Sequence, residues 1–250
     1  MIRFVELSST SVRRWVWLPA AVVFAVVGAL LAAAGPARAD DILPTLTSFG
    51  VSATSVDVTY GEAHITVTMS VSDPDATGVG TGDVIAHGPK RGYNPFGHLV
   101  QVGGTASNTQ YRADITLPAG KAVDYRLDIS FIEADQFSLV DLQSQLVASG
   151  WPYHVHAAVT APPVAPRNLT FQRELLGGKS TVVVRWAPPA AGEPVPTGST
   201  LTGSSCGTLK SSGATEAQFL DQPRNATCTA TVSLVNGAGS SPTTTASGRA

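Results

Sequence analysis

Two stretches of strict alternation constrain this chain more than any other feature. In His64-Ile-Thr-Val-Thr-Met-Ser-Val-Ser72, Ile65, Val67, Met69 and Val71 share one side, while His64, Thr66, Thr68 and Ser70 share the other. Val123 to Ile132 repeats the pattern, with Tyr125, Leu127, Ile129 and Phe131 opposed to Asp124, Arg126, Asp128 and Ser130. A period of two puts alternate side chains on opposite faces of a strand, so each stretch reads as a strand with one buried and one wet face. Weaker strands are expected at Leu46–Val51, Ser55–Val58, Gly82–His87, Leu99–Val102, Tyr111–Leu117 and Tyr153–Val159. Tyr60-Gly61-Glu62, Asp73-Pro-Asp75, Gly103-Gly104 and Pro118-Ala-Gly120 supply the turns between them. About seven short strands spaced by turns predict a two-sheet antiparallel sandwich. Leu139 to Ser149 breaks the rule: Leu139, Leu142, Leu146 and Val147 recur at helical spacing, and Gly150 can end the helix.

Thr160-Ala-Pro-Pro-Val-Ala-Pro166 marks a boundary. Its prolines cannot extend a strand or a helix, so the stretch reads as a short stiff linker. Beyond it the alternation resumes. Val182, Val184 and Trp186 share one face, as do Ala230, Val232 and Leu234, and both faces suit a second sandwich core.

The run Leu46-Thr-Ser-Phe-Gly-Val-Ser-Ala-Thr-Ser-Val-Asp-Val58, the strand at His64–Ser72 and the segment Tyr111-Arg-Ala-Asp-Ile-Thr-Leu-Pro118 resemble an immunoglobulin-like module of secreted bacterial proteins. Pro166-Arg-Asn-Leu-Thr-Phe171, Thr181-Val-Val-Val-Arg-Trp186-Ala-Pro-Pro189 and Thr229-Ala-Thr-Val-Ser-Leu-Val-Asn236 resemble the first, second and sixth strands of a fibronectin type III module. These resemblances imply an all-β chain of two antiparallel sandwiches in tandem after an N-terminal signal helix. The expected organisation is a leader at 1–39, an immunoglobulin-like sandwich at 40–160, a proline-rich linker at 161–166 and a fibronectin type III-like sandwich at 167–250. The second resemblance also implies inward tyrosines on the third and sixth strands, and here Ser199 and Cys228 stand in those places.

The leader rests on its own pattern. Arg3, Arg13 and Arg14 precede an uncharged run from Trp15 to Gly35, and Ala37 and Ala39 hold the small-residue positions of a cleavage site before Asp40. That is the three-part form of a secretory signal. The apolar run is also long enough to span a bilayer as an uncleaved anchor over 15–35. Val12 and Trp15 fit a twin-arginine motif poorly. Removal of residues 1–39 leaves 12 basic and 17 acidic side chains, a net charge of −5, which argues against nucleic acid or an anionic membrane as partner. The expected location is therefore extracellular. Cys206 and Cys228, the only two cysteines, are expected to pair in that oxidising setting. Their bridge closes a loop of about 20 residues, worth roughly 3 kcal/mol on the chain-entropy model.

Candidate sites are few. His154-x-His156 puts two imidazoles on one strand face, a start for a metal site that lacks a third ligand in sequence, so solvent-facing histidines on an edge strand are expected and no metal. Asp73, Asp75 and Asp83 surround a glycine-rich stretch that suits calcium chemistry, yet their spacing does not match an EF-hand and Asp-Pro-Asp is ordinary turn chemistry. Lys90, Arg91, Tyr93 and Phe96 concentrate cations and aromatics between glycine and proline, a possible ligand loop for a sugar or a protein. The competing expectation is that Tyr93 and Phe96 fold back over the sandwich end. No Gly-x-Ser-x-Gly elbow is present, no acid pair stands out, and paired cysteines offer no nucleophile, so no catalytic residue and no cofactor are expected. Asn168-Leu-Thr170 and Asn225-Ala-Thr227 match the glycosylation sequon, a pattern with little force in a chain of bacterial character. The expectation is a non-catalytic interaction or spacer protein at the cell exterior whose partner is a protein or a glycan. The alternative is a carbohydrate-binding accessory module.

Overall fold

The computed structural model describes residues 42–75, 80–89, 94–132, 139–176, 179–220, 222–223 and 225–249. The leader with Ala37 and Ala39, and the loop residues Lys90, Arg91 and Tyr93, lie outside them. The unit that begins at Ile42 is built of sheets whose strands pair antiparallel, except for the parallel pair β2 (Ser55–Asp57) and β10 (His154–Ala158).

In the first sandwich, one sheet runs β1 (Thr45–Val51), β3 (Ala63–Ser72), β7 (Asn108–Leu117), β6 (Val100–Thr105). The facing sheet runs β2 (Ser55–Asp57), β10 (His154–Ala158), β8 (Val123–Ile132), β4 (Thr81–His87), β5 (Phe96–His98), with β9 (Leu139–Val140) beside β8. This is the strand order of an immunoglobulin-type sandwich with a strand added at each edge of the second sheet, β2 and β5. The ten strands exceed the expected seven; β2 falls within the expected Ser55–Val58, whereas β5 and β9 are three and two residues long and lack a readable alternation. The four apolar residues of each alternating stretch are buried. From β7, Tyr111 packs edge-on against Phe131 and its hydroxyl donates to the Gly80 carbonyl at 3.1 Å, which satisfies a polar group brought into this core.

The expected helix is shorter than its periodicity suggests: α1 spans Leu142–Ala148. Leu139 belongs to β9 instead, and Val147 is half exposed, so Leu142 and Leu146 alone hold the helix to the core. Asp141 caps the helix by accepting from the Ser144 N–H at 3.0 Å, and Gly150 ends it at φ 70°. Two glutamines of α1 do the work of missing strands. Gln145 accepts from Leu46 N at 2.7 Å and donates to Pro44 O at 3.0 Å, covering the open edge of β1. Gln143 accepts from Ile129 N at 3.0 Å where β10 is too short to pair with β8. Free edge groups invite foreign strands, and these two contacts remove them.

The second sandwich sets β11 (Thr170–Leu176), β12 (Lys179–Arg185), β15 (Glu216–Leu220) and β14 (Thr208–Ser212) against β13 (Gly198–Thr202), β16 (Thr227–Asn236), β17 (Gly239–Ser240) and β18 (Thr244–Arg249). Val182, Val184, Trp186, Phe219, Ala230, Val232 and Leu234 form its core. Cys206 and Cys228 are joined by a disulfide with Cα atoms 4.6 Å apart, and both are fully buried among these residues. The bridge therefore fills space as well as crosslinking. Ser199 lies opposite Leu234 with its hydroxyl buried and unpartnered.

Residues 161–166 are not a bare spacer. Asn236 Nδ2 donates to Ala161 O at 2.9 Å and Thr244 Oγ1 to Pro166 O at 2.7 Å, so the second sandwich grips both ends. The two sandwiches also meet directly: Val195 N donates to Thr59 O at 2.8 Å, and Gly237 N donates to Gly120 O at 2.9 Å. Backbones approach this closely because both positions are glycine. A Cβ at Gly120 would lie 2.5 Å from Val195 O, and one at Gly237 would lie 2.6 Å from Ala122 N. Gly120 also needs its φ of 73°.

Candidate functional site

Alternation that buries Val84, Ala86, Leu127, Ile129, Val155 and Ala157 must turn the intervening residues outward. On the sheet containing β10, β8, β4 and β5, those residues include His87, His98, His154 and His156, four of the five histidines in the chain. The same face carries Asp83, Asp124, Arg126 and Asp128. Strand register decides their neighbours. His154 pairs across from Arg126, which pairs across from His87, giving one row over three adjacent strands. His156 lies opposite Asp124, and Asp83 lies opposite His98.

The face is knit by ion pairs. Arg126 grips Asp128 with two bonds, Nε to Oδ1 at 2.8 Å and Nη2 to Oδ2 at 2.6 Å. This bonding is the first cause holding the Arg126 guanidinium above its ordinary value. His87 Nε2 stands 3.3 Å from the same carboxylate, and its Nδ1 is 3.0 Å from Asn94 Nδ2. The amide donates there, so neutral His87 carries its proton on Nε2, facing Asp128. His156 bonds Asp124 and His98 bonds Asp83, each at 2.5 Å. The Tyr153 ring backs His154 with centroids 4.4 Å apart. Exposed pairs of this kind contribute little to stability, roughly 0–1 kcal/mol each. Their consequence is a fixed pattern of charge. His87, Gly88, Pro89, Asp124, Arg126 and His154 line an open depression of about 470 Å³ in this face.

Several expectations are corrected here. β10 is not an edge strand, because β2 pairs with it in parallel on its far side. His154 and His156 do have neighbouring acids and a third histidine, brought from β8 and β4 by a register that no local pattern announces. Phe96 is not part of a loop excursion. It begins β5, is 46% exposed and stands edge-on to His98 at 5.2 Å, so it does not cover the sandwich end. The aspartate trio is divided: Asp83 belongs to the second sheet and bonds His98, whereas Asp73 follows β3 and Asp75 accepts from Ile42 N at 3.0 Å. Among the described residues, no group of three or more His, Cys, Asp or Glu side chains is placed to hold a metal.

The other chemically suggestive features have structural explanations. Asn168 and Asn225 of the two sequons have φ of 55° and 58° and are, among the described residues, the non-glycine residues with positive φ. Asparagine tolerates that left-handed conformation better than other side chains, so backbone demand accounts for both. His64 Nδ1 meets Thr116 Oγ1 at 3.0 Å on the exposed outer face of β3 and β7, away from the depression. Both cysteine sulfurs are in the disulfide. Among the described residues, no helix is long and apolar enough to cross a membrane.

The sequence matches no family model and no curated protein. Solved structures with some likeness include the FN1–FN3 domains of chicken CNTN1, at 13% identity over 83% of this chain and with a TM-score of 0.28. This chain spans 65% of that structure's length. A segment of two fibronectin type III domains from chicken tenascin shows 13% identity over 82% of this chain and 99% of its own, with a TM-score of 0.26. Similarity this low leaves the architecture resting on the strand pairing above.

Proposed function

We propose that this chain is a non-catalytic interaction or spacer protein of the cell exterior, made of two sandwiches, 40–160 and 167–250, joined through 161–166 after a cleaved leader. The observation that carries the reading is the docking of the two sandwiches. Backbone hydrogen bonds from Val195 to Thr59 and from Gly237 to Gly120 join the two sandwiches directly. A junction fixed in this way holds the histidine-rich face of the first sandwich in a constant relation to the second. The buried Cys206–Cys228 bridge favours an oxidising compartment.

The test is made in the organism that produces the chain. Intact mass of protein from the medium is expected to correspond to a start at Asp40. A photoreactive residue at Ser130, on the exposed sheet, is expected to capture a specific neighbour at the cell surface. Recovery of the chain only inside the cell, with the leader intact and no captured neighbour, would refute the reading.

A further inference from the structure

The row His154–Arg126–His87 has a property that an ordinary wet sheet face lacks. Imidazole is the side chain whose charge changes between about pH 5 and 8. With neutral histidines, the described face carries Asp83, Asp124 and Asp128 against Arg126. With all four protonated, five cations face three carboxylates. His156 and His98 are each bonded to their own aspartate, Asp124 and Asp83. The surplus therefore does not spread. It falls on His154, whose ring lies tilted against that of Tyr153, and on Arg126 and His87, which share the single carboxylate of Asp128. These three side chains line the depression, together with Gly88, Pro89 and Asp124.

We propose that this depression binds a carboxylate-bearing glycan and binds it more tightly as the pH falls. The inference rests on the reading of the chain as an interaction protein and names the partner class of its exposed face. Charge complementarity selects an anion: in acid the row offers three cationic side chains about 5 Å apart from strand to strand, with N–H groups of His154 and Arg126 to donate and His87 contributing charge alone. The walls select a sugar over a bare ion. Pro89 presents an exposed apolar ring of the kind on which sugar C–H faces pack, beside the cationic row. A volume of about 470 Å³ lies within the usual size of small-ligand sites, about 300–1,000 Å³. Asn94 sits behind His87, and its amide can turn its oxygen towards Nδ1 when that nitrogen gains a proton.

The experiment uses the mature secreted chain and polygalacturonate oligomers, with dextran as the neutral polymer, in calorimetric titrations at about pH 5 and about pH 7.5. The carboxylates of the polymer are ionised at both values. Each imidazolium within about 6 Å of a carboxylate contributes roughly threefold in a water-like dielectric, so two give about a tenfold tighter Kd in acid. His87→Gln and His154→Gln together are expected to abolish this pH dependence, and Arg126→Gln is expected to weaken binding at both pH values. Circular dichroism confirms that the variants fold. Equal binding at the two pH values, or unchanged pH dependence in the double variant, overturns the proposal, as does equal binding of dextran. Capture of phosphatidylglycerol vesicles through the same residues, without polygalacturonate binding, overturns the glycan in favour of a lipid surface. A protein cross-linked at Ser130 with no glycan binding also overturns it and leaves the broader interaction reading standing.

Discussion

Gly237→Ala isolates the contact between the two sandwiches. Its φ lies outside the positive range, so alanine brings no backbone strain of its own. The new Cβ would lie 2.6 Å from Ala122 N and 2.7 Å from Ala122 Cβ. Ordinary carbon contacts need about 3.5–4.0 Å, so the backbones must part by roughly 1 Å. The Gly237–Gly120 hydrogen bond starts at 2.9 Å and does not survive that displacement. The Val195–Thr59 bond shares the junction and loosens with it. Two such bonds are worth roughly 1–3 kcal/mol together. Against this, alanine lowers the entropy of the unfolded chain by the equivalent of about 0.4–1 kcal/mol. The expected net loss is about 1–2 kcal/mol. Gly61→Ala is the matched control: nothing lies within 4 Å of its Cβ position, so it shows the entropic gain alone. Urea unfolding is followed by the fluorescence of Trp151, packed on the first core, and Trp186, buried in the second. Single-tryptophan forms of the chain assign each transition to its sandwich. The transitions are expected to separate further in Gly237→Ala than in the parent. A Gly237→Ala protein as stable as Gly61→Ala, with unchanged transitions, would mean that the sandwiches are not docked through this contact.

Three further outcomes follow from local chemistry. Replacing both Cys206 and Cys228 with alanine removes a crosslink over 22 residues; the chain-entropy model gives a loss of about 3 kcal/mol, measurable by urea unfolding, and a loss below about 1 kcal/mol would show that the bridge constrains little. Ser199→Ala deletes a buried hydroxyl that has no partner and is expected to raise the melting temperature, with a gain of about 1 kcal/mol; a lower one would show that the hydroxyl is satisfied. The Thr59 hydroxyl, followed by the Thr59 N–H, holds the Asp57 carboxyl below its ordinary value. Stability from a depressed carboxylate is present above its unfolded value of about 4 and disappears as the pH falls through the folded one. Asp57→Asn should therefore flatten the acid limb of the stability curve, and an unchanged limb in pH-dependent melting would contradict this origin.

The parts of the fold that were legible are those decided within a few residues. Alternation in His64–Ser72 and Val123–Ile132 was enough to name every buried side chain of β3 and β8, because a strand has only two faces. Trp186 and the two cysteines were legible for a similar reason, since few environments suit them. What escaped was whatever depends on a partner far along the chain. Phe96 was misplaced because β5 is three residues long and exists only by pairing with β4. Leu139 was read as helical because its spacing to Leu142 fits, yet pairing with Ile132 draws it into β9. Asp124, Arg126 and Asp128 were recognised as a wet face but not as neighbours of four histidines. That neighbourhood is set by the registers of β10 and β4 on β8, and no short segment encodes a register between strands some 30 residues apart.

The two outer faces of the first sandwich supply a comparison within one molecule. Each is the wet side of a sheet whose other side fills the same core, so packing asks only that both be polar. On β3 and β7 that demand is met mostly by hydroxyls and amides: Thr66, Thr68, Ser70, Gln110 and Thr116, with one histidine, His64, and one ion pair, Arg112–Asp114. On β10, β8, β4 and β5 it is met by four histidines, three aspartates and an arginine, linked in chains of hydrogen bonds. Solubility does not explain the difference, because the first face is soluble without such groups. Stability does not explain it either, since exposed ion pairs return roughly 0–1 kcal/mol each. What the second composition provides and the first, with its single histidine, does not is a cluster of imidazoles, concentrated where three strands bring His154, Arg126 and His87 together.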